Sequence, residues 1–315
     1  MKLFKAIIKP VMFLVILLGL LGALSPFFQK DGESVSNFQK SRAVLSQTRN
    51  SVDIFVLGDS ATYTSFIPME LWENYGYTSY VSGFPARNFD DTIEILEQVL
   101  EKQHPAYVVL ETNILFRDKK SLYYEAKNIF ERVAYPFTPI IKRHDAWKQI
   151  CMSGLQPVFD WKDPLKGYYI NSKITPYEGK QHEKTDKVVN VSEKNTIYAE
   201  RIKALCDSYN TELVLYSAPS MKNWTYARYH GLENLANKLD CSFIDLNVND
   251  QVQIDWKHDS SDGGDHMNFY GARKITGYLG NYFSGLHTLV DKRDNHDYQE
   301  WNEDLSFYHK KKPTE

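Results

Sequence analysis

Two short blocks in the 315-residue chain carry the residue types of nucleophilic catalysis. The first is Gly58-Asp59-Ser60, directly after the apolar run 52–57 (VDIFVL). A serine placed where a strand gives way to a helix exposes its hydroxyl. The helix N-terminus behind it offers N–H groups and positive potential to an oxyanion. The same tripeptide also suits an ordinary helix cap, because Asp and Ser both accept from first-turn N–H groups. The second block is Asp262-Gly263-Gly264-Asp265-His266-Met267-Asn268, with Gly271 beyond it. A serine hydroxyl needs a base, and histidine is the side chain that exchanges protons near neutral pH. The histidine needs an acceptor on its other ring nitrogen, and two aspartates stand close by. Asp265 is adjacent to His266, so the two side chains diverge. Asp262 reaches from four residues upstream across a Gly-Gly turn and is the favoured partner; a Ser–His dyad without either Asp is the alternative. Asp and His are also metal ligands, but the divergence of neighbours argues against a dedicated metal site. Gly83 and Asn113 complete the set: glycine admits close backbone approach, and an asparagine amide can donate to an oxyanion.

The elements that must position these residues alternate between strand and helix. Residues 52–57 form a first strand, followed by a helical stretch to about Asn74. Residues 77–84 form a second strand ending at Gly83. Residues 88–103 form an amphipathic helix with Ile93, Leu96, Val99 and Leu100 on one face. Asp90 and Asp91 suit its first turn, and His104-Pro105 ends it. Residues 106–110 form a third strand ending just before Asn113. The rhythm returns with a helix at 194–209, a strand at 212–217, a helix at 226–239, a strand at 242–246 and a closing helix at 268–283. Such alternation predicts a parallel sheet covered on both faces, with ligands bound at the carboxyl ends of the strands. Ser60, Gly83, Asn113 and His266 then share one edge. Arg87, four residues after Gly83, either faces an anionic ligand there or caps the helix at Asp90 or Asp91.

In that order, the four blocks resemble those of the SGNH/GDSL hydrolase superfamily. The resemblance implies a flavodoxin-like three-layer α/β/α fold over residues 51–285, with an insertion at 114–193 after the third strand. It implies Ser60 as nucleophile, His266 as general base, and an oxyanion hole from the Ser60 N–H, the Gly83 N–H and the Asn113 side chain. It implies no cofactor. The chain departs from the pattern in the third block, where Glu111-Thr112-Asn113-Ile114 keeps only the Asn, and in the last. There, Gly263 stands where Asp is usual and Met267 where Pro is common. The last block is similar to that of membrane-anchored surface members in Gram-positive bacteria, which esterify or de-esterify cell-surface polysaccharides and teichoic acids. The expected function is therefore an extracytoplasmic serine esterase or O-acyltransferase acting on acyl esters of a cell-envelope glycan. The alternative is a non-catalytic glycan-binding or scaffold protein on a hydrolase fold. A lesser one is a metal-dependent hydrolase using Asp262, Asp265 and His266.

The N-terminus supports a surface location. Residues 11–28 are free of charge, and Ile7 and Ile8 extend the run across Lys9. About 20 apolar residues span a hydrocarbon core of ~30 Å. Lys2, Lys5 and Lys9 precede the run and no acid occurs before Asp31, which places the following chain outside. A cleaved signal peptide is the rival, with Ala23 and Ser25 near the end of the run, but Pro26 hinders cleavage. Residues 1–30 are thus expected to be a membrane anchor, 31–50 a polar stalk, and 286–315 a charged tail that wraps the domain or is partly disordered. Apolar residues at 43% and charged ones at 24% exclude a wholly disordered chain. The net charge is −3, and with the four lysines of residues 1–30 set aside, 33 basic residues face 40 acidic ones. No nucleic-acid partner is expected from such a balance. Three cysteines, at 151, 206 and 241, are too few for a disulfide framework. Trp147, Trp161, Tyr168 and Tyr169 could stack on sugar rings or simply pack the insertion.

Overall fold

The computed structural model describes residues 2–28, 37–117, 162–248 and 252–314, with isolated positions between 126 and 140. In it the five apolar runs become strands: β1 (Ile54–Gly58), β2 (Ser79–Gly83), β3 (Tyr107–Glu111), β4 (Glu212–Ser217) and β5 (Ser242–Asp245). All are parallel, in the order β2-β1-β3-β4-β5. This is the flavodoxin-like doubly wound order. The helices are α1 (Lys2–Leu24), α2 (Asn37–Arg42), α3 (Ser60–Ser65), α4 (Pro68–Tyr75), α5 (Phe89–Gln103), α6 (Glu193–Ser208), α7 (Tyr226–Leu239), α8 (Phe269–Gly285) and α9 (Gln299–Lys311).

Successive strand residues point to opposite faces, and that alternation builds the layers. Phe55 and Leu57 of β1 and Val108 and Leu110 of β3 meet Leu96 and Val99 of α5, Ile202 of α6 and Leu235 of α7. Ile54, Val56, Val109 and Val214 turn the other way and meet Ile275, Leu279 and Phe283 of α8. Each fully buried side chain of this size contributes roughly 1.5–3 kcal/mol. The in-register pairing of Gly58 with Gly83 and of Glu111 with Tyr216 brings the carboxyl ends of four strands to one edge.

Two expectations about organisation are corrected, and two are resolved between their alternatives. The helical stretch after Ser60 is two helices, because Pro68 holds Ile67 in an extended conformation (φ −111°, ψ 97°). The segment expected to be a stalk is not free from residue 37 onward. Phe38 and Val44 are buried, Tyr80 Oη donates to Lys40 O at 2.8 Å, and Ser82 Oγ donates to Ser41 O at 2.7 Å. This segment packs against β2, which is an edge strand and gains cover from it. The C-terminal part also belongs to the domain. Trp301 and Tyr308 of α9 are buried against Trp72 and its neighbours, and Tyr308 Oη donates to Glu70 Oε1 at 2.7 Å. The packed unit therefore extends beyond residues 51–285 at both ends. Arg87 turns into the protein and meets the first turn of α5, its Nη2 donating to Asp91 O at 3.5 Å. It is buried, donates to Ser82 O at 2.6 Å and Ser82 Oγ at 2.9 Å, and stacks on Phe84.

Of the insertion, residues 114–117 and 162–193 are described, with isolated positions between 126 and 140. Val81 N donates to Lys166 O at 2.8 Å, so this segment docks beside β2. The fully buried Lys166 reaches Asp304 Oδ2 of α9 at 2.5 Å and Gln47 Oε1 at 2.9 Å, which ties both chain ends to the insertion. Tyr168 is buried in the same cluster, whereas Tyr169 is exposed. Trp147, Trp161 and Cys151 lie outside the described residues. At the N-terminus, 22 residues, Ile7–Phe28, are apolar and long enough to cross a membrane, a property shared by anchors and signal sequences.

Candidate active site

The nucleophile block is shaped by crowding at the ends of β1, β2 and β3. Asp59 caps α3, its Oδ1 accepting from Ala61 N at 2.9 Å. The carboxylate is fully buried, and its Oδ2 accepts from Asn113 Nδ2 at 3.0 Å and from the Arg117 guanidinium. This clamp turns the Asp59 side chain inward and leaves Ser60 as the first residue of α3. Gly83 is needed for a steric reason: a Cβ there would lie 2.6 Å from Asp59 O. Glu111 is buried beneath the same corner and accepts from Asn113 N at 3.0 Å. Burial and the Asp59 charge push its carboxyl well above the usual range, so it is held toward the neutral form.

The histidine block is a loop shaped by its own hydrogen bonds. Gly263 and Gly264 take positive φ (76° and 96°), which L side chains adopt only with strain. Gly264 N donates to Ser260 Oγ at 2.7 Å, and Ser261 N donates to His266 O at 3.0 Å. The described part of the insertion braces the loop from outside: Thr175 N donates to Ser260 O at 2.8 Å and Tyr177 N to Trp256 O at 2.9 Å. Asn268 then caps α8, accepting from Tyr270 N and Gly271 N at 3.0 and 3.1 Å.

The two blocks meet. His266 Nε2 lies 2.8 Å from Ser60 Oγ, and His266 Nδ1 lies 2.6 Å from Asp262 Oδ2. The Gly-Gly turn makes the reach possible: Asp262 Oδ1 also accepts from the backbone of Asp265 (3.1 Å) and His266 (2.9 Å). Asp265 does not diverge fully, since its Oδ2 is 3.7 Å from His266 Nδ1, but its Oδ1 accepts from Asn223 Nδ2. Asp262 is therefore the hydrogen-bonded partner and Asp265 a nearby charge. Burial disfavours the imidazolium, yet the Asp262 hydrogen bond and the charges of Asp265, Asp262 and Asp59 outweigh it, so His266 stands above its ordinary 6.5. Burial likewise disfavours the Asp262 anion, but its hydrogen bonds and the charge of His266 bring its carboxyl down to about 2. Burial holds the Asp265 carboxyl above the ordinary range.

Asn113 is brought to the site but spends one amide N–H on Asp59; a primary amide carries two, so a second remains for a ligand. Asp262, Asp265 and His266 present ligand atoms within 4.8 Å of one another. Both imidazole nitrogens are already engaged there, one by Ser60 and one by Asp262, so a cation would have to displace a bond of the relay. Beside the Ser60–His266 pair lies a pocket of about 30 Å³, lined in part by Asn113, Phe116, Asn223, Trp224 and Arg228. Three polar residues here escaped the sequence reading: Arg117, Glu111 and Arg228. Arg117 and Glu111 act across turns that residue spacing does not reveal. Arg228 carries a visible signal, a cation in the first turn of a helix, where the dipole disfavours it.

No family model and no curated protein matches the chain by sequence. Among solved structures, the chain is similar to a lipase/acylhydrolase from Enterococcus faecalis, with 11% identity and a TM-score of 0.40 over 75% of this chain and 96% of that one. It is also similar to a GDSL-like lipase from Bacteroides thetaiotaomicron, with 10% identity and a TM-score of 0.36 over 74% and 88%.

Proposed function

We propose that the protein is a serine esterase or O-acyltransferase, held at the outer face of a membrane by its N-terminal helix, that acts on acyl esters of a cell-envelope polysaccharide or teichoic acid. The observation that carries this reading is the relay Asp262–His266–Ser60, with contacts of 2.6 and 2.8 Å. His266 takes the Ser60 proton as Oγ attacks the ester carbonyl, and Asp262 holds the tautomer and stabilises the imidazolium. The Ser60 and Gly83 N–H groups and the Asn113 amide are the donors for the oxyanion. His266 then returns the proton to the departing alcohol. The acyl-enzyme passes its acyl group to water or to a sugar hydroxyl by the same steps in reverse.

The test is hydrolysis of p-nitrophenyl acetate by residues 31–315, wild type beside Ser60→Ala and His266→Ala. Turnover by wild type, lost by orders of magnitude in both variants and indifferent to a chelator, supports the reading. A folded but inert wild type, with no acyl transfer to an added glycan acceptor, overturns it in favour of a binding protein.

A further inference from the structure

Arg228 stands in the pocket of the Ser60–His266 pair without a counter-ion. Among the described residues, no carboxylate lies within ion-pairing distance of its guanidinium. Its protein contacts are the Asn223 carbonyl, which accepts from Nη1, and the Phe116 ring, 4.7 Å from the guanidinium carbon. Burial alone moves its pKa, downward, with no neighbouring anion to offset it. A half-desolvated cation is costly to keep. A guanidinium has five N–H donors in a planar fork, and the Asn223 carbonyl takes one of them, on Nη1. The pocket also holds carboxylates, and Asp262 stands beside its His266. Glu111 is held toward its neutral form, and Asp265 is engaged by Asn223 and lies near His266.

We propose that Arg228 is the specificity residue of this pocket, and that it binds an oxyanionic group, a phosphodiester or a carboxylate, carried by the ester on which Ser60 acts. The inference rests on the serine-esterase reading for its site but not for its test. Arg228 makes no covalent step; it anchors the charged part of the substrate so that the ester carbonyl lies at Ser60. An anion on the alcohol side points to a phosphate-bearing polymer, and an anion on the acyl side to the half-ester of a dicarboxylic acid.

Binding is measured first, by calorimetry with methyl phosphate on Ser60→Ala protein, which needs no turnover. Arg228→Gln in that background, which keeps a donor toward the Asn223 carbonyl, is expected to weaken binding at least tenfold. Arg228→Lys, which keeps the charge but not the fork, is expected to weaken it less. Should the Gln variant fail to fold, the Lys variant and the loss of affinity between low and high salt decide the matter. Equal affinity with and without the guanidinium, or no binding to the Ser60→Ala protein, overturns the proposal. The second readout is the ratio of kcat/KM for a charged ester to that for p-nitrophenyl acetate. An acetyl ester of glycerol phosphate and the p-nitrophenyl half-ester of glutaric acid place the anion on opposite sides of the bond. Arg228→Gln is expected to lower the ratio at least tenfold for one of them; an unchanged ratio for both overturns the proposal. Phosphate binding through Arg228 in a protein that turns over no ester would sink the esterase reading and leave the anion site standing.

Discussion

Ser60 and His266 reach each other from scaffolds of different kinds. Beneath Ser60 the acids are buried. Asp59 is clamped by Asn113 and Arg117, Glu111 lies beneath it, and Gly83 leaves no room for a side chain. Around His266 the chain is a loop with partly exposed acids; the Asp262 side chain is 40% exposed. Its shape comes from two positive-φ glycines and from hydrogen bonds within a few residues. Ser60 is therefore placed by the core of the fold, and His266 by local turn chemistry. Substitutions around Ser60 should cost folding, and substitutions around His266 should cost reaction rate.

Ser60 itself is the instructive exception and the largest expected effect. Its hydroxyl bonds to His266 rather than to the scaffold. Ser60→Ala should lower kcat/KM for p-nitrophenyl acetate by roughly 10⁴-fold or more while urea midpoints stay close to wild type. On the histidine side, Asp262→Asn should cost about 10³- to 10⁴-fold in kcat by losing tautomer control. Asp265→Asn, measured in parallel, should cost less than about tenfold, because Asp265 is not the hydrogen-bonded acceptor. On the serine side, Asp59→Ala removes a helix cap and the acceptor shared by Asn113 and Arg117, and should lower unfolding free energy by about 1–2 kcal/mol in urea titration.

The smallest effect is a shift with pH. The base must be neutral to act, and His266 stands above 6.5, so kcat/KM should rise with pH through an apparent pKa above 6.5. Asp262 is one of the groups that raise it. In Asp262→Asn the residual activity should rise through a lower pKa, the acid limb moving toward lower pH. The stability linkage has the same origin. A raised histidine contributes stability below its unfolded pKa that is lost as pH climbs through the folded one. Chemical denaturation from pH 6 to 8 should show that decline in wild type and less of it in Asp262→Asn.

The alternating strands and helices were legible because each strand is a short apolar run and each long helix an amphipathic one; β4 and α7 fall where spacing put them. Ser60, Gly83, Asn113 and His266 were legible through their order along strand ends. Asp262 stands out over Asp265 through the Gly-Gly turn and the divergence of adjacent side chains. Less legible was whatever depends on contacts far apart in sequence. Phe38 and Val44 are two apolar residues in a polar stretch, and nothing local shows that they dock beside β2. In the C-terminal helix, Trp301, Leu305 and Tyr308 repeat at helical spacing, a signal outweighed by the surrounding charge. Arg117 reaches Asp59 across 58 residues, a pairing that only the fold reveals.

The central claim is that Ser60 is a nucleophile activated by His266. Its most direct test is labelling with a fluorophosphonate followed by peptide mapping. The account predicts a single adduct, on Ser60, at a rate that falls steeply in His266→Ala and follows the pH profile of His266. A folded protein that takes no label, or takes it on another residue at an undiminished rate in His266→Ala, would contradict it.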